Sequence, residues 1–243
     1  MNLTIGRPPP VFEAARRSPQ TEILDDGVGA AELRDILYDL ARFNGIMQGH
    51  RPVIRWLDRA TQAIPSDQPL TLLDIGCGYG DLLRAVRRWA RRHGRRMRLI
   101  GIDLSPQVIE VARSVTDPAD DIIYEAADVF DYQPQALDFA VTSLVTHHLS
   151  DATIVRFLRW MESAAHRGWL IYDLQRSIVP FHFIALAGPI LRLHPVVVYD
   201  GRVSVARSLT RNEWRARLAE AGFAPGTVDL RWFMFRFAIG RLK

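Results

Sequence analysis

Three glycines, Gly76, Gly78 and Gly80, follow the apolar residues Leu72, Leu73 and Ile75 almost directly, and the next dozen positions have helical spacing. A strand that turns through glycines into a helix leaves main-chain N–H groups bare at the helix start, where a ligand can lie against them. Acids stand at matching places further on. Asp74 lies in the first strand, Asp103 ends the apolar segment 98–104, and Asp128 follows Ala127 behind a third apolar segment. A carboxylate at the end of a second strand suits the two adjacent hydroxyls of a ribose, so the chemistry is that of a nucleoside cofactor site. Dinucleotide sites use G-x-G-x-x-G. Here the third glycine comes one position early, and Lys243, the only lysine, leaves no internal partner for a Tyr-Lys catalytic pair.

The order Asp74-x-Gly76-x-Gly78-x-Gly80, then Gly101-x-Asp103-x-Ser105 with Ile109 four positions on, then Ala127-Asp128, then a strand leading to His147-His148-Leu149, resembles the class I S-adenosylmethionine-dependent methyltransferases. The resemblance covers residues 72–173. It implies an α/β fold: a Rossmann-like, seven-stranded, mostly parallel sheet with an antiparallel C-terminal hairpin, N-terminal helices and a small helical lid. It also implies S-adenosyl-L-methionine (SAM) as cofactor and S-adenosyl-L-homocysteine (SAH) as product. By the same resemblance Gly76, Cys77, Gly78 and Gly80 lie along the methionine portion and ribose, with Asp74 orienting the ammonium group. Asp103 holds the ribose hydroxyls, Leu104 packs on the adenine, Asp128 and Val129 meet its polar edge, and backbone near Ser143 closes the site.

Methyl transfer from a sulfonium is an in-line displacement that depends chiefly on positioning. A phenolic acceptor, with a pKa of about 10, also needs its proton removed, and histidine is the natural base. His147 and His148 are the catalytic candidates, with a structural role as the alternative for each. Tyr38, Asn44, His50 and Arg51 from the N-terminal helices, and Arg176 and His182 beyond the fifth strand, are candidates to line the acceptor pocket or simply to cap and connect helices. His194 and Asp173 are further candidates. No metal is expected: the paired carboxylates and asparagine of magnesium-dependent catechol methyltransferases are not evident, and Asp120-Asp121 falls in another loop. The expected acceptor is a small apolar or aromatic molecule, phenolic, quinone-like or polyketide-like, methylated on oxygen, with carbon as the rival. Residues 142–149 read Thr-Ser-Leu-Val-Thr-His-His-Leu and lack the N/D-P-P-(Y/F) signature of many amino-group methyltransferases.

The elements that must position these residues follow from spacing. Residues 1–20, rich in proline and polar side chains, read as a flexible arm. Leu33, Ile36, Leu37, Leu40, Phe43 and Met47, then Val53, Ile54 and Leu57, give two helices broken near residues 48–52, forming an N-terminal cover over 21–66. The methyltransferase domain takes 67–243. Ser105-Pro106 starts one helix, and Thr210 with Glu213 a later one as a capping box. Residues 175–208 interrupt the strand–helix alternation as a lid of short helices, expected to break at Pro180, Pro189 and Pro195. Two closing strands are expected at 227–232 and 234–239.

The 243 residues suffice for one α/β domain. The net charge of +4 comes almost entirely from arginine, which reads as composition rather than as a nucleic-acid surface, and no nucleic-acid partner is expected. The arginines of 84–98 read as a solvated helix face. Cys77 is the sole cysteine, so no intramolecular disulfide can form. With no targeting segment read at the N-terminus and no apolar run fit to span a membrane, the expectation is a cytoplasmic monomer or homodimer.

Overall fold

The computed structural model describes residues 7–134 and 136–243, so the first six residues of the expected arm lie outside the described residues. Seven strands form one sheet: β1 (Leu70–Ile75), β2 (Met97–Asp103), β3 (Ile122–Ala126), β4 (Phe139–Ser143), β5 (Gly168–Leu174), β6 (Asp229–Phe233) and β7 (Arg236–Leu242). Their order is β3-β2-β1-β4-β5-β7-β6, and only β7 runs against the rest. The fold expected from the sequence is the fold observed.

β1, β4 and β5 are buried along nearly their whole length because helices cover both faces of the sheet. On one face α2 (Arg51–Thr61) and α3 (Asp81–Arg92) bury Trp56, Leu57, Leu83, Val86 and Trp89. On the other, α5 (Asp151–Ala164) and α8 (Arg211–Ala221) bury Ile154, Phe157, Leu158 and Trp214. α4 (Pro106–Ser114) starts as expected, with Ser105 Oγ accepting from Val108 N–H at 3.4 Å. α8 carries the expected capping box between Thr210 and Glu213. Two arginines of α3 are engaged rather than free in solvent: Arg87 donates to the carbonyls of Met97 and Asp121, and Arg91 pairs with the Asp120 carboxylate at 2.7 Å.

Three helices stand apart from the sheet's faces. α1 (Ala30–Ile46), α6 (Ile178–Ile190) and α7 (Pro195–Arg207) lie over the carboxyl ends of the strands, bound together through Ile36, Val196, Val197 and Val203 and through Phe181, Ile184 and Val205. The sequence expectation that Pro180 breaks the lid is corrected. Pro180 is the third residue of α6, in the turn whose N–H groups have no intrahelical acceptor, so its ring removes nothing. Pro189 precedes the final residue of α6, and Pro195 opens α7. The closing hairpin is shifted by about two residues from its expected place, because Met234 takes a left-handed φ of 53° and fixes the turn there.

Residues 7–20 have neither helix nor strand, yet they are tied to the lid. Ser18 N–H donates to Ala206 O at 3.0 Å, Tyr199 Oη donates to Pro8 O at 3.0 Å, and Phe12 packs on Phe181. Arg17 donates to the carbonyls of His147 and Arg207 and to Asp151. The segment continues through a short 3-10 turn, Leu24–Asp26, that reaches the mouth of the cavity described next.

Candidate active site

A cavity of about 770 Å³ lies between the strand ends and the three covering helices. Its floor is the glycine turn. Gly76, Gly78 and Gly80 all have left-handed φ, 70°, 52° and 73°. They differ in what surrounds them: a Cβ on Gly76 would strike Val145, one on Gly80 would strike Tyr124, and one on Gly78 would meet nothing within 4 Å. Gly78 faces open space, while Gly76 and Gly80 are pinned by packing. Of the three, Gly80 does not reach the cavity, and its requirement for glycine comes from Tyr124.

Asp103, at the tip of β2, accepts from Gly78 N–H at 3.2 Å and from Ser105 N–H at 3.1 Å, so one carboxylate ties the glycine turn to the start of α4. Burial pushes its pKa up, while these N–H donors pull against that shift. Beside it the Leu104 side chain is 73% exposed yet borders the cavity, an apolar surface with nothing of its own chain on it. Asp128 Oδ1 accepts from Phe130 N–H at 2.9 Å, and Asp128, Val129 and Phe130 all line the same wall. Cys77 and Ser143 border it too. Burial raises the Cys77 thiol far above its ordinary range.

Two residues that line this cavity each hold a buried polar atom with no hydrogen-bond partner among the described residues: Asp74 Oδ1 and Arg236 Nη1. Buried polar groups are nearly always satisfied, so orphaned atoms at a cavity wall mark where a ligand's groups belong. Asp74 is fully enclosed, and burial with the nearby charges of Asp81 and Asp103 raises its pKa well above the ordinary carboxylate range. Arg236 comes from the first residue of β7, donates through Nη2 to Asn44 Oδ1 at 2.6 Å and lies across Tyr172. His50 Nε2 sits 2.6 Å from Asp81, whose pKa falls through that contact despite its burial.

At the other end stand the histidines. His147 is 3% exposed, and its Nδ1 is 2.7 Å from Asp173 Oδ1, whose other oxygen accepts from Thr146 Oγ1 and His147 N–H. Its Nε2 faces Glu22 at 3.5 Å. Burial disfavours the imidazolium, but the two carboxylates outweigh that and raise its pKa to about 9, while Asp173 falls to about 2. His148, a third exposed, stacks on His147 and points Nδ1 to Asp25 at 3.2 Å and Nε2 to Glu22 at 3.7 Å. Glu22 takes a hydrogen bond from Ser204 Oγ at 2.8 Å. Asp200 completes the wall, accepting from Ile23 and Leu24 N–H, and burial raises its pKa to about 7.

Of the acceptor-pocket candidates, His50 and Asn44 line the cavity, and four do not. Tyr38 is 54% exposed and packs edge-on to Tyr79. Arg51 is exposed and donates to Gln48. Arg176 turns into the protein, where it joins Glu213 at 2.5 Å and the carbonyls of Ser208 and Ala14. His182 lies on the outer side of α6. Sequence reasoning missed Glu22, Asp25, Asp200, Ser204 and Arg236. None lies in a motif, and the lid and N-terminal segment acquire polar roles only through the way they fold over the sheet.

Residues 72–168 match the family model described as a methyltransferase domain. Among solved structures, the chain is similar to human N-acetylserotonin methyltransferase in complex with SAM, with 16% identity and a TM-score of 0.62, covering 88% of this chain and 56% of that one. It is also similar to the plantazolicin methyltransferase BpumL with SAH and a pentazolic desmethylPZN analog, at 16% identity and a TM-score of 0.58, over 83% and 80% of the two chains. A third is the magnesium protoporphyrin IX methyltransferase of Synechocystis PCC 6803 with bound SAH, at 16% identity and a TM-score of 0.52, over 92% and 87%. At these identities the likeness is one of fold, and the chain spans just over half the length of the human enzyme. No helix among the described residues is long and apolar enough to cross a membrane. Residues 72–168 thus match a methyltransferase-domain model, and the chain has the fold of these SAM- and SAH-bound methyltransferases.

Proposed function

We propose that the chain transfers a methyl group from SAM to a hydroxyl oxygen of a small, largely apolar acceptor. The observation that carries the reading is the pair of unmatched buried atoms in one cavity with the glycine turn, an acidic Oδ1 on Asp74 and a cationic Nη1 on Arg236. They suit the ammonium and the carboxylate of an amino-acid moiety. Bare main chain at Gly78, the Asp103 carboxylate, the uncovered Leu104 surface and the Asp128–Val129 wall suit a ribose and an adenine. The residues therefore fit the cofactor.

Bound there, SAM supplies an electrophilic methyl carbon, whose bond to sulfur breaks as the bond to the acceptor oxygen forms. The protein's part is to hold the acceptor on the far side of that carbon, and orientation of this kind can be worth effective molarities of about 10⁵ to 10⁸ M. Leu37, Leu40, Phe43, Ile184 and Val197 from the covering helices give the remaining cavity an apolar lining, which supports an apolar or aromatic acceptor. At the wall of His147, His148 and Glu22 the acceptor hydroxyl is held and gives up its proton. His147, clamped between Asp173 and Glu22, orients this wall, and His148 is its more exposed imidazole.

Calorimetry with SAM, SAH and NADH, followed by mass-spectrometric detection of methyl transfer to a panel of phenols, tests the reading. Micromolar binding of SAM and SAH with a mass gain on a phenol is expected. Binding of NADH in preference to SAM rejects it.

A further inference from the structure

Glu22, His147 and His148 present one carboxylate oxygen and two imidazole nitrogens whose ligand atoms all lie within 4.8 Å of one another. The separations of Glu22 Oε1 from His147 Nε2, 3.5 Å, and of Glu22 Oε2 from His148 Nε2, 3.7 Å, are both too long for good hydrogen bonds. They are close to what two ligands on one metal require: bonds of about 2.0–2.2 Å at a tetrahedral angle put donor atoms about 3.4 Å apart.

The surroundings have the other marks of such a site. His147 is fixed by Asp173 on Nδ1, 2.7 Å away, which leaves Nε2 as the free nitrogen; histidines that bind metals commonly have their second nitrogen held this way. His148 has Asp25 on its Nδ1 in the same relation. Glu22 is 5% exposed, and its side chain accepts from Ser204 Oγ, which fixes its orientation. Four carboxylates converge here, those of Glu22, Asp25, Asp173 and Asp200, while Arg207 pairs with Asp25 at 2.9 Å and lies 3.9 Å from Glu22. A divalent charge would offset the excess, and the open side of the cluster faces the cavity.

We propose that Glu22, His147 and His148 form a binding site for one divalent transition cation at the acceptor end of the cavity. Two imidazoles and one carboxylate favour the iron-to-zinc series over magnesium or calcium. The cation lies where the acceptor hydroxyl is expected, and as a Lewis acid it lowers that hydroxyl's pKa so the proton leaves to solvent before methyl transfer. This catalytic use rests on the methyltransferase reading above, whereas the binding itself does not.

The test uses the full chain after chelator treatment. Co²⁺ is titrated by its ligand-field absorption and Zn²⁺ by calorimetry, with SAH affinity measured on every sample. One cation per chain is expected, with Mg²⁺ failing to compete. His148→Ala and Glu22→Gln should each weaken binding at least tenfold, and Asp173→Asn by about 10- to 100-fold through loss of the support to His147, all with SAH affinity unchanged. His148→Gln serves as a second ligand variant at a partly exposed position if Glu22→Gln does not fold. Absence of saturable one-to-one binding, or unchanged binding in the ligand variants, overturns the site. One-to-one Co²⁺ binding without SAH binding would leave the site standing and reject the cofactor reading instead.

Discussion

His147 Nδ1 and Asp173 Oδ1 stand 2.7 Å apart with both side chains almost wholly enclosed, joining the turn after β4 to the last residues of β5. The contact decides which imidazole nitrogen can face the cavity, so one strand end sets the chemistry offered by its neighbour. Removing one partner of a buried pair leaves the other charge uncompensated, at a cost of about 3–5 kcal/mol. Asp173→Ala should lower unfolding free energy by that order, read from urea denaturation monitored by circular dichroism. A loss below about 1 kcal/mol would mean the pair is not enclosed as described.

Asp103 joins the glycine turn to α4 and is proposed to hold the ribose. A hydrogen bond to a charged group contributes about 1.5–3 kcal/mol, so Asp103→Ala should weaken SAH binding by roughly 10- to 150-fold. Isothermal titration measures this directly, and an unchanged dissociation constant would reject the ribose assignment.

The glycines should respond differently. Gly76→Ala adds a methyl into Val145, so thermal unfolding should occur at a clearly lower temperature. Gly78→Ala meets no neighbour and carries only the strain of a left-handed residue, about 1–2 kcal/mol. It should depress the melting temperature less than Gly76→Ala does, while SAH affinity falls sharply because the added methyl occupies ligand space. Equal SAH binding by Gly78→Ala and the parent chain would show that the open face is not where the cofactor lies.

His148→Ala and Glu22→Ala should reduce kcat by about 10²- to 10⁴-fold, the range expected when acceptor deprotonation is impaired, with SAH affinity within twofold of the parent chain. Arg176→Ala and His182→Ala, outside the cavity, should leave the acceptor KM unchanged. A raised acceptor KM in His182→Ala would place the acceptor on the outer side of α6 instead.

Burial of Asp200, reinforced by Glu22 and Asp25, raises its pKa to about 7 from an ordinary value of 3.8, against the pull of Ile23 and Leu24 N–H. A carboxyl with a raised folded-state pKa binds its proton more tightly when folded, so it contributes least to stability when ionised. The Asp200 contribution is therefore fully present below about pH 4 and is lost as pH rises towards 7. The difference in melting temperature between the parent and Asp200→Asn should shift in favour of the variant between pH 5 and 8. A pH-independent difference would show that Asp200 titrates normally.

The glycine-turn half of the cavity was legible in the sequence because its parts are local. The glycine turn, Asp103 and Asp128 each sit at a strand end, and alternation of strand and helix brings strand ends together at one edge of a parallel sheet. The misread positions were those whose side-chain direction is set elsewhere. Arg176 follows the strand closely enough to suggest the pocket, yet Glu213 in α8 draws it inward. Pro180 resembled a helix break because its place within the first turn depends on where Ser177 starts α6.

By itself, then, the sequence determined the sheet, the glycine turn and the acids behind it, since backbone conformation and hydrophobic period are properties of short segments. Which polar groups meet at the histidine end of the cavity depended on how distant segments pack. Glu22 lies about half the chain away from His147 and Asp173 in sequence, and no local rule links them. They come together because the N-terminal segment is folded over α7 and held there by Asp200 and Arg17, contacts that form only once the covering helices have packed.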